Sequence, residues 1–374
     1  MPPATWLRFA PRAGVLALLG AVVLLMAWLV SAAFAPEPPH PLTGGGTSGA
    51  SDLSTYLAIV EAMRGGADYY EAAQAELRKH YGTRSIFNWR TPLNSWWLAA
   101  LPSLDWAMAI GVALAGMTVL FTYRLVRESA GPVFAGFSAL LLLVALADFG
   151  TPDAILFAEI NAGLLILISV IAYGSRLPWL GLAAGALALF LRELSAPYVV
   201  ICVILALRER RWTEVWAWAA VLAAYAGYFG WHASEAMARV GPEDRAYADS
   251  WLAFGGTHFV LASGAFNGLV RLLPVWVTTA ILPLGLLGLA VRPQAARALL
   301  TALAYVALFT VAGKPTNAYW GALYTALLML GLPWAVPALR DAWGAVRSPR
   351  WSSGGREGAL RSGSSPRSAG GNVR

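Results

Sequence analysis

Ten apolar runs dominate this chain of 374 residues, at roughly 14–34, 104–123, 130–148, 156–174, 178–191, 194–207, 214–231, 270–291, 297–313 and 319–338. A run near 20 residues long is enough to cross the hydrocarbon core of a bilayer. Lipid offers no hydrogen-bond partners, so a spanning segment must satisfy its own backbone, which leaves the helix. A soluble core does not explain the pattern. The chain is 58% hydrophobic with a mean hydropathy of +0.59, whereas soluble domains are roughly 45–50% apolar. The expected fold is all-α: a polytopic membrane protein with about ten transmembrane helices. The stretch 177–208 is long enough for one helix, but Arg192 and Glu193 lie at its centre and Pro197 follows. A central charge pair is costly in lipid unless it is satisfied, and proline interrupts helices. Two short helices meeting at an outer turn are expected there.

Arginine placement orients the runs. Arg8 and Arg12, Arg124 and Arg127, Arg176, Arg208 to Arg211, Arg292 and Arg297, and Arg340 onward fall in loops that alternate to one side. The positive-inside rule makes that side cytoplasmic. Both termini are then inside, and a bacterial inner (plasma) membrane is the expected location. Of the 20 carboxylates, only Glu128, Glu209, Glu214, Asp341 and Glu357 fall inside. The net charge of +7 follows from this bias, so nucleic acid is not an expected partner. Arg8 and Arg12 followed by an apolar run resemble a signal peptide, but the run exceeds a usual apolar region of roughly 7–15 residues. An uncleaved first helix is expected. Residues 1–340 read as one transmembrane domain and 341–374 as a basic cytoplasmic tail. From 348 the composition is Ser, Gly and Arg, which favours disorder.

Polar residues concentrate in two outer segments, 36–93 and 232–269. Within the first, 36–49 reads as a linker rich in Pro, Gly and Ser. Residues 52–64 are predicted to be helical, with Leu53, Tyr56, Leu57, Val60 and Met63 on one face. Gly65 and Gly66 break that helix, and 68–81 is predicted to form a second one. Both are amphipathic and are expected to lie along the membrane surface. The second segment carries Glu235, Glu243, Asp244, Asp249 and His258. Cys202 is the only cysteine, so no internal disulfide forms. The four histidines lack zinc-ligand spacing.

Each candidate site residue has two readings. Asp52 opens the first surface helix. A carboxylate there can accept a proton from a hydroxyl nucleophile or hold a divalent cation; it also fits a helix-entry acid that the helix dipole stabilises. Glu159 sits among Phe157, Ile160 and Leu164 and needs a cationic partner or a wet cavity. Arg192, followed by Glu193, offers a planar fork for phosphate or carboxylate; the other reading is an internal pair with Glu159 or a neighbour. Only two of the 27 basic residues are lysines, Lys79 and Lys314, and both fall outside, against the bias. Lys314 can meet a lipid phosphate or snorkel to the interface. Arg90 closes the first segment beside Trp89, and Trp89, Trp96 and Trp97 fit an interfacial belt or a sugar-facing groove. His258 fits an acid/base or a phosphate donor, or a plain loop histidine.

The layout resembles the GT-C class of membrane glycosyltransferases. The resemblance rests on the outer segment opening at Asp52–Tyr56 and continuing through Ala62–Tyr70, on Gly181–Gly185 leading to Arg192, and on Gly313-Lys314 leading to Tyr319. It implies a sugar donor linked to polyprenyl phosphate, a glycan, lipid or protein acceptor, and Asp52 as the base. It further implies Tyr56, Tyr69, Arg90, Glu159, Arg192, Glu193, His258, Lys314 and Tyr319 as substrate-binding residues. Ser51 and Leu53 flank Asp52, so the adjacent acid pair of many relatives is missing. A divalent cation is therefore left open, and no other cofactor is expected. The alternatives are a transporter or flippase for a lipid-linked or small anionic substrate, an O-antigen polymerase or ligase, and a structural subunit.

Overall fold

A computed structural model describes residues 3–35, 52–246 and 253–347. Every regular element among the described residues is helical, as expected for an all-α chain. The helices are α1 (Arg12–Ala33), α2 (Asp52–Arg64), α3 (Tyr69–His80), α4 (Leu93–Ala100), α5 (Leu104–Ala130), α6 (Pro132–Ala145), α7 (Pro152–Leu156), α8 (Ala158–Gly174), α9 (Pro178–Leu191), α10 (Ala196–Arg208), α11 (Trp212–Met237), α12 (Gly256–Gly264), α13 (Val275–Ala290), α14 (Ala296–Val311) and α15 (Thr325–Arg347).

Each of the ten apolar runs coincides with a helix. By length and composition, three helical segments among the described residues are able to cross a membrane: α1, α5 and Pro293–Val311. A fourth joins them if Asn317–Leu323 and α15, bent by 60°, count as one span. Shorter apolar helices, α6, α8, α9 and α13, fill the bundle beside them. Leu24, Val133, Phe137 and Trp216 are each more than half exposed. An apolar outer surface of this kind suits lipid.

The break between α9 and α10 falls where the charge pair required it. Arg192 leaves the helix in an extended conformation, and a 3-10 turn, Glu193–Ser195, follows. Pro197 then sits in the first turn of α10, where its missing N–H costs nothing. The segment 232–269 is less of a loop than expected. Helix α11 runs on to Met237, and α12 buries Phe259, Val260 and Leu261. The last run opens as a 3-10 stretch, Pro315–Leu323, before α15 begins. Helix α15 continues past 340 to Arg347, because Ala338, Ala342 and Ala345 pack in a cluster with Leu7, Val15 and Trp334. The linker 36–49, Asp249 and the tail from 348 lie outside the described residues.

Close backbone approaches position the site. A Cβ on Gly163 of α8 would collide with the carbonyl of Ala322, and one on Gly321 with the carbonyl of Ser263. These two glycines let the 3-10 stretch lie directly against α8 and α12. Helices α2 and α3 form a small lobe around Ile59, Tyr69, Tyr70, Leu77 and Trp89, closed by Ala236 of α11. Gly66, at φ +97°, turns the chain between the two helices. Asp68 caps α3 by accepting the Tyr70 N–H at 2.8 Å. Arg78 of α3 then clamps Asp244 at 2.9 Å and Glu243 at 2.7 Å, tying the first outer segment to the second.

Candidate active site

One connected array joins most of the residues singled out in the sequence. Asp52, the first residue of α2, is half-buried, and each carboxylate oxygen accepts a phenol hydrogen bond. Tyr81 donates to Oδ1, and Tyr319 donates to Oδ2 at 2.9 Å. Burial and the Asp52 charge hold the Tyr81 phenol well above its ordinary value, so it stays a donor. Tyr319 also accepts from Nη2 of Arg90 at 3.2 Å. Nε of Arg90 donates to the Tyr56 hydroxyl at 3.1 Å, and the Tyr69 hydroxyl donates to the Arg90 carbonyl. Burial also pushes the Tyr56 phenol up. Phe157 packs between two of these rings, with centroids 5.8 Å from Tyr56 and 5.0 Å from Tyr319.

The array continues inward through charge. Glu159, one residue into α8, lies 3.9 Å from Nη2 of Arg90 and 2.7 Å from Nε of Arg192. Arg192 also pairs with Glu193. Glu159 and Arg192 are almost fully buried, at 1% and 2% exposure. Their close approach is an ion contact without hydrogen-bond alignment. Glu159 Oε1, Arg192 Nε and Arg90 Nη1 all lack a hydrogen-bond partner among the described residues. Buried polar atoms without partners are costly and need an explanation. Three of them cluster here, beside a cavity of about 20 Å³ lined by Tyr56, Arg90, Asn94, Ser95 and Glu159 among others. That volume holds about one water.

The charges do not balance. Asp52, Glu159 and Glu193 face Arg90 and Arg192, which gives two positive charges minus three negative, a net of −1. Arg192 is occupied by two carboxylates and is sealed from solvent. Each arginine has one N–H without a hydrogen-bond partner among the described residues, but Arg90 keeps about 16% side-chain exposure. Arg90 is thus the better placed of the two to meet an incoming anion.

The remaining predicted residues sit around the array. Lys314 immediately precedes the 3-10 stretch that carries Tyr319. His258 is half-buried on α12 and has no polar partner among the described residues, so nothing ties it to Asp52. Trp89 is only 2% exposed and donates to the Thr83 carbonyl at 2.9 Å. It belongs to the core of the α2–α3 lobe, neither to a belt nor to a groove. Asn161 donates to Asn94 and to the Ile155 carbonyl, at 3.0 and 2.8 Å, which fixes the bend between α7 and α8 just before Glu159. Among the described residues, no three His, Cys, Asp or Glu side chains group as a metal site requires. Tyr81 was not apparent from the sequence. It lies one residue past α3, and only the fold brings it back to Asp52. No protein family, curated protein or solved structure significantly matches this chain.

Proposed function

We propose that this protein is a ten-span membrane glycosyltransferase of the GT-C type. It moves a sugar from a polyprenyl-phosphate carrier to an acceptor hydroxyl on the outer face of a bacterial inner membrane. The observation that carries this reading is the continuous array from Asp52 through Tyr319 and Arg90 to Glu159. It sets one acid, oriented by two phenols, beside a guanidinium with an unused N–H. All of its members come from segments that arginine placement assigns to the same side of the membrane.

The chemistry is a single displacement with inversion. The acceptor hydroxyl gives its proton to the Asp52 carboxylate as its oxygen bonds to the anomeric carbon. The bond from that carbon to the phosphate oxygen breaks, and its electron pair leaves on the phosphate. Arg90, with Lys314 as a further cation, meets that charge. Arg192 holds Glu159, and Glu159 in turn holds Arg90. The one-water cavity is too small for a sugar, so donor entry displaces side chains around Tyr56 and Arg90.

One observation favours a transporter instead. The 60° break between Asn317–Leu323 and α15 puts a bent helix at the array, and broken helices mark many transporter sites. Purified protein in vesicles loaded with a lipid-phosphate sugar and an acceptor pool separates the two readings. The enzyme releases free polyprenyl phosphate in step with a new glycoside, both detected by mass spectrometry. Movement of intact donor between leaflets with no bond cleavage would establish the transporter.

A further inference from the structure

A second site lies at the other end of the bundle. Glu159 and Gly174 stand near opposite ends of α8, roughly 22 Å apart at 1.5 Å per residue. Around Gly174 opens a cavity of about 540 Å³, between the C-terminal ends of α5 and α8, the link from α13 to α14, and α15. That volume falls in the usual range for small-molecule sites, roughly 300–1,000 Å³. Leu125, Val170, Ile171 and Leu330 form an apolar part of its wall.

Thr5, Thr122, Ser129 and Gln294 also line it, together with two further polar groups. Arg292 lies over the Trp334 ring, 4.3 Å from its centroid, and has no carboxylate partner among the described residues. Trp334 is 4% exposed, and its indole N–H has no acceptor among the described residues. A buried N–H without an acceptor is costly, and here it stands in a cavity of ligand size beside a guanidinium that has no carboxylate partner among the described residues. The carboxylate lining this cavity is Glu128, which is exposed at its rim. The chemistry that answers a cation, a donor and an apolar wall together is a phosphate attached to a hydrocarbon tail.

We propose that this cavity binds the phosphate headgroup of a membrane lipid, with the phosphate on Arg292 and the Trp334 N–H and the first part of the tail along α5 and α8. The site is separate from the Asp52 array, and it stands or falls independently of the glycosyltransferase reading. Arginine placement puts it in the cytoplasmic leaflet, where anionic lipids concentrate.

The test is native mass spectrometry of the full chain released from detergent, with phosphatidylglycerol, diacylglycerol or inorganic phosphate added. Wild type is expected to retain one phosphatidylglycerol. Loss of a charge-assisted contact predicts roughly a tenfold or greater weakening for R292Q, and severalfold for W334F. R124Q removes an exposed charge outside the cavity and is expected to bind as wild type. Retention by R292Q and W334F equal to wild type would overturn the proposal. Equal retention of diacylglycerol would show an apolar crevice only. Displacement of the lipid by equimolar inorganic phosphate would show a site for a soluble anion. Either result would also overturn it. W334F keeps the test informative should R292Q fail to fold.

Discussion

Asp52 is held by two hydroxyls from distant parts of the chain, Tyr81 and Tyr319. Removing one donor leaves the acid in place with looser orientation. Y319F is expected to lower kcat roughly tenfold, the loss of one hydrogen bond to a charged group, with little change in the acceptor KM. A steady-state comparison with wild type checks this. Glu159 poses a different case. E159Q removes a charge that two arginines share, and Arg192 stays buried with Glu193 alone. Breaking a buried pair costs about 3 kcal/mol or more, so E159Q is expected to unfold in detergent well before wild type on a thermal ramp. The sequence marked Asp52, Glu159 and Arg192 because charge is expensive beside apolar runs. It did not reveal that Arg192 is sealed against Glu159 and Glu193 while Arg90 stays partly exposed. Both arginines adjoin apolar runs, and only packing decides which of them is sealed.

At the level of elements, two joints decide whether the array assembles. The first is the contact of α8 with the 3-10 stretch at Gly163 and Ala322. G163V drives a side chain into that carbonyl and shifts Tyr319 away from Asp52. It is expected to abolish transfer while the protein still reaches the membrane, which blotting of membrane fractions checks. The second joint is Arg78 with Asp244. Arg78 first, and then Thr83, hold the Asp244 carboxyl well below the usual carboxylate range. Its folded value lies below its unfolded one, near 4. The stabilisation is therefore complete above pH 4 and is lost as pH falls through the lower folded value. Hydrogen exchange in α3 is expected to rise over that acid window in wild type. In D244N it is expected to be raised already at neutral pH and to change little on acidification. The helices α2 and α3 were legible because their apolar faces repeat at helical spacing. Helix α12 was not, since Gly255, Gly256 and His258 made its first turn look like loop.

Across the whole molecule, the apolar runs announced helices, and each run holds one. What they could not announce is how unequal those helices are. Among the described residues three segments are both long and apolar enough to span alone, while α6, α8, α9 and α13 are short and rely on their neighbours. Length is a local property, whereas the use of a short helix depends on the neighbours that cover its ends. The function argued above also belongs to this scale. It requires the first outer segment, the ends of α8 and α9 and the bent last segment to meet on one face. They do meet there, and Asp52 is the one acid in the array that no guanidinium pairs. The most direct test is therefore transfer by D52N from a polyprenyl-phosphate sugar, measured beside wild type at matched membrane levels. With Asp52 as the base, kcat is expected to fall by about 10²–10⁴, the contribution of a general base, with donor binding retained. Transfer by D52N at the wild-type rate would contradict it.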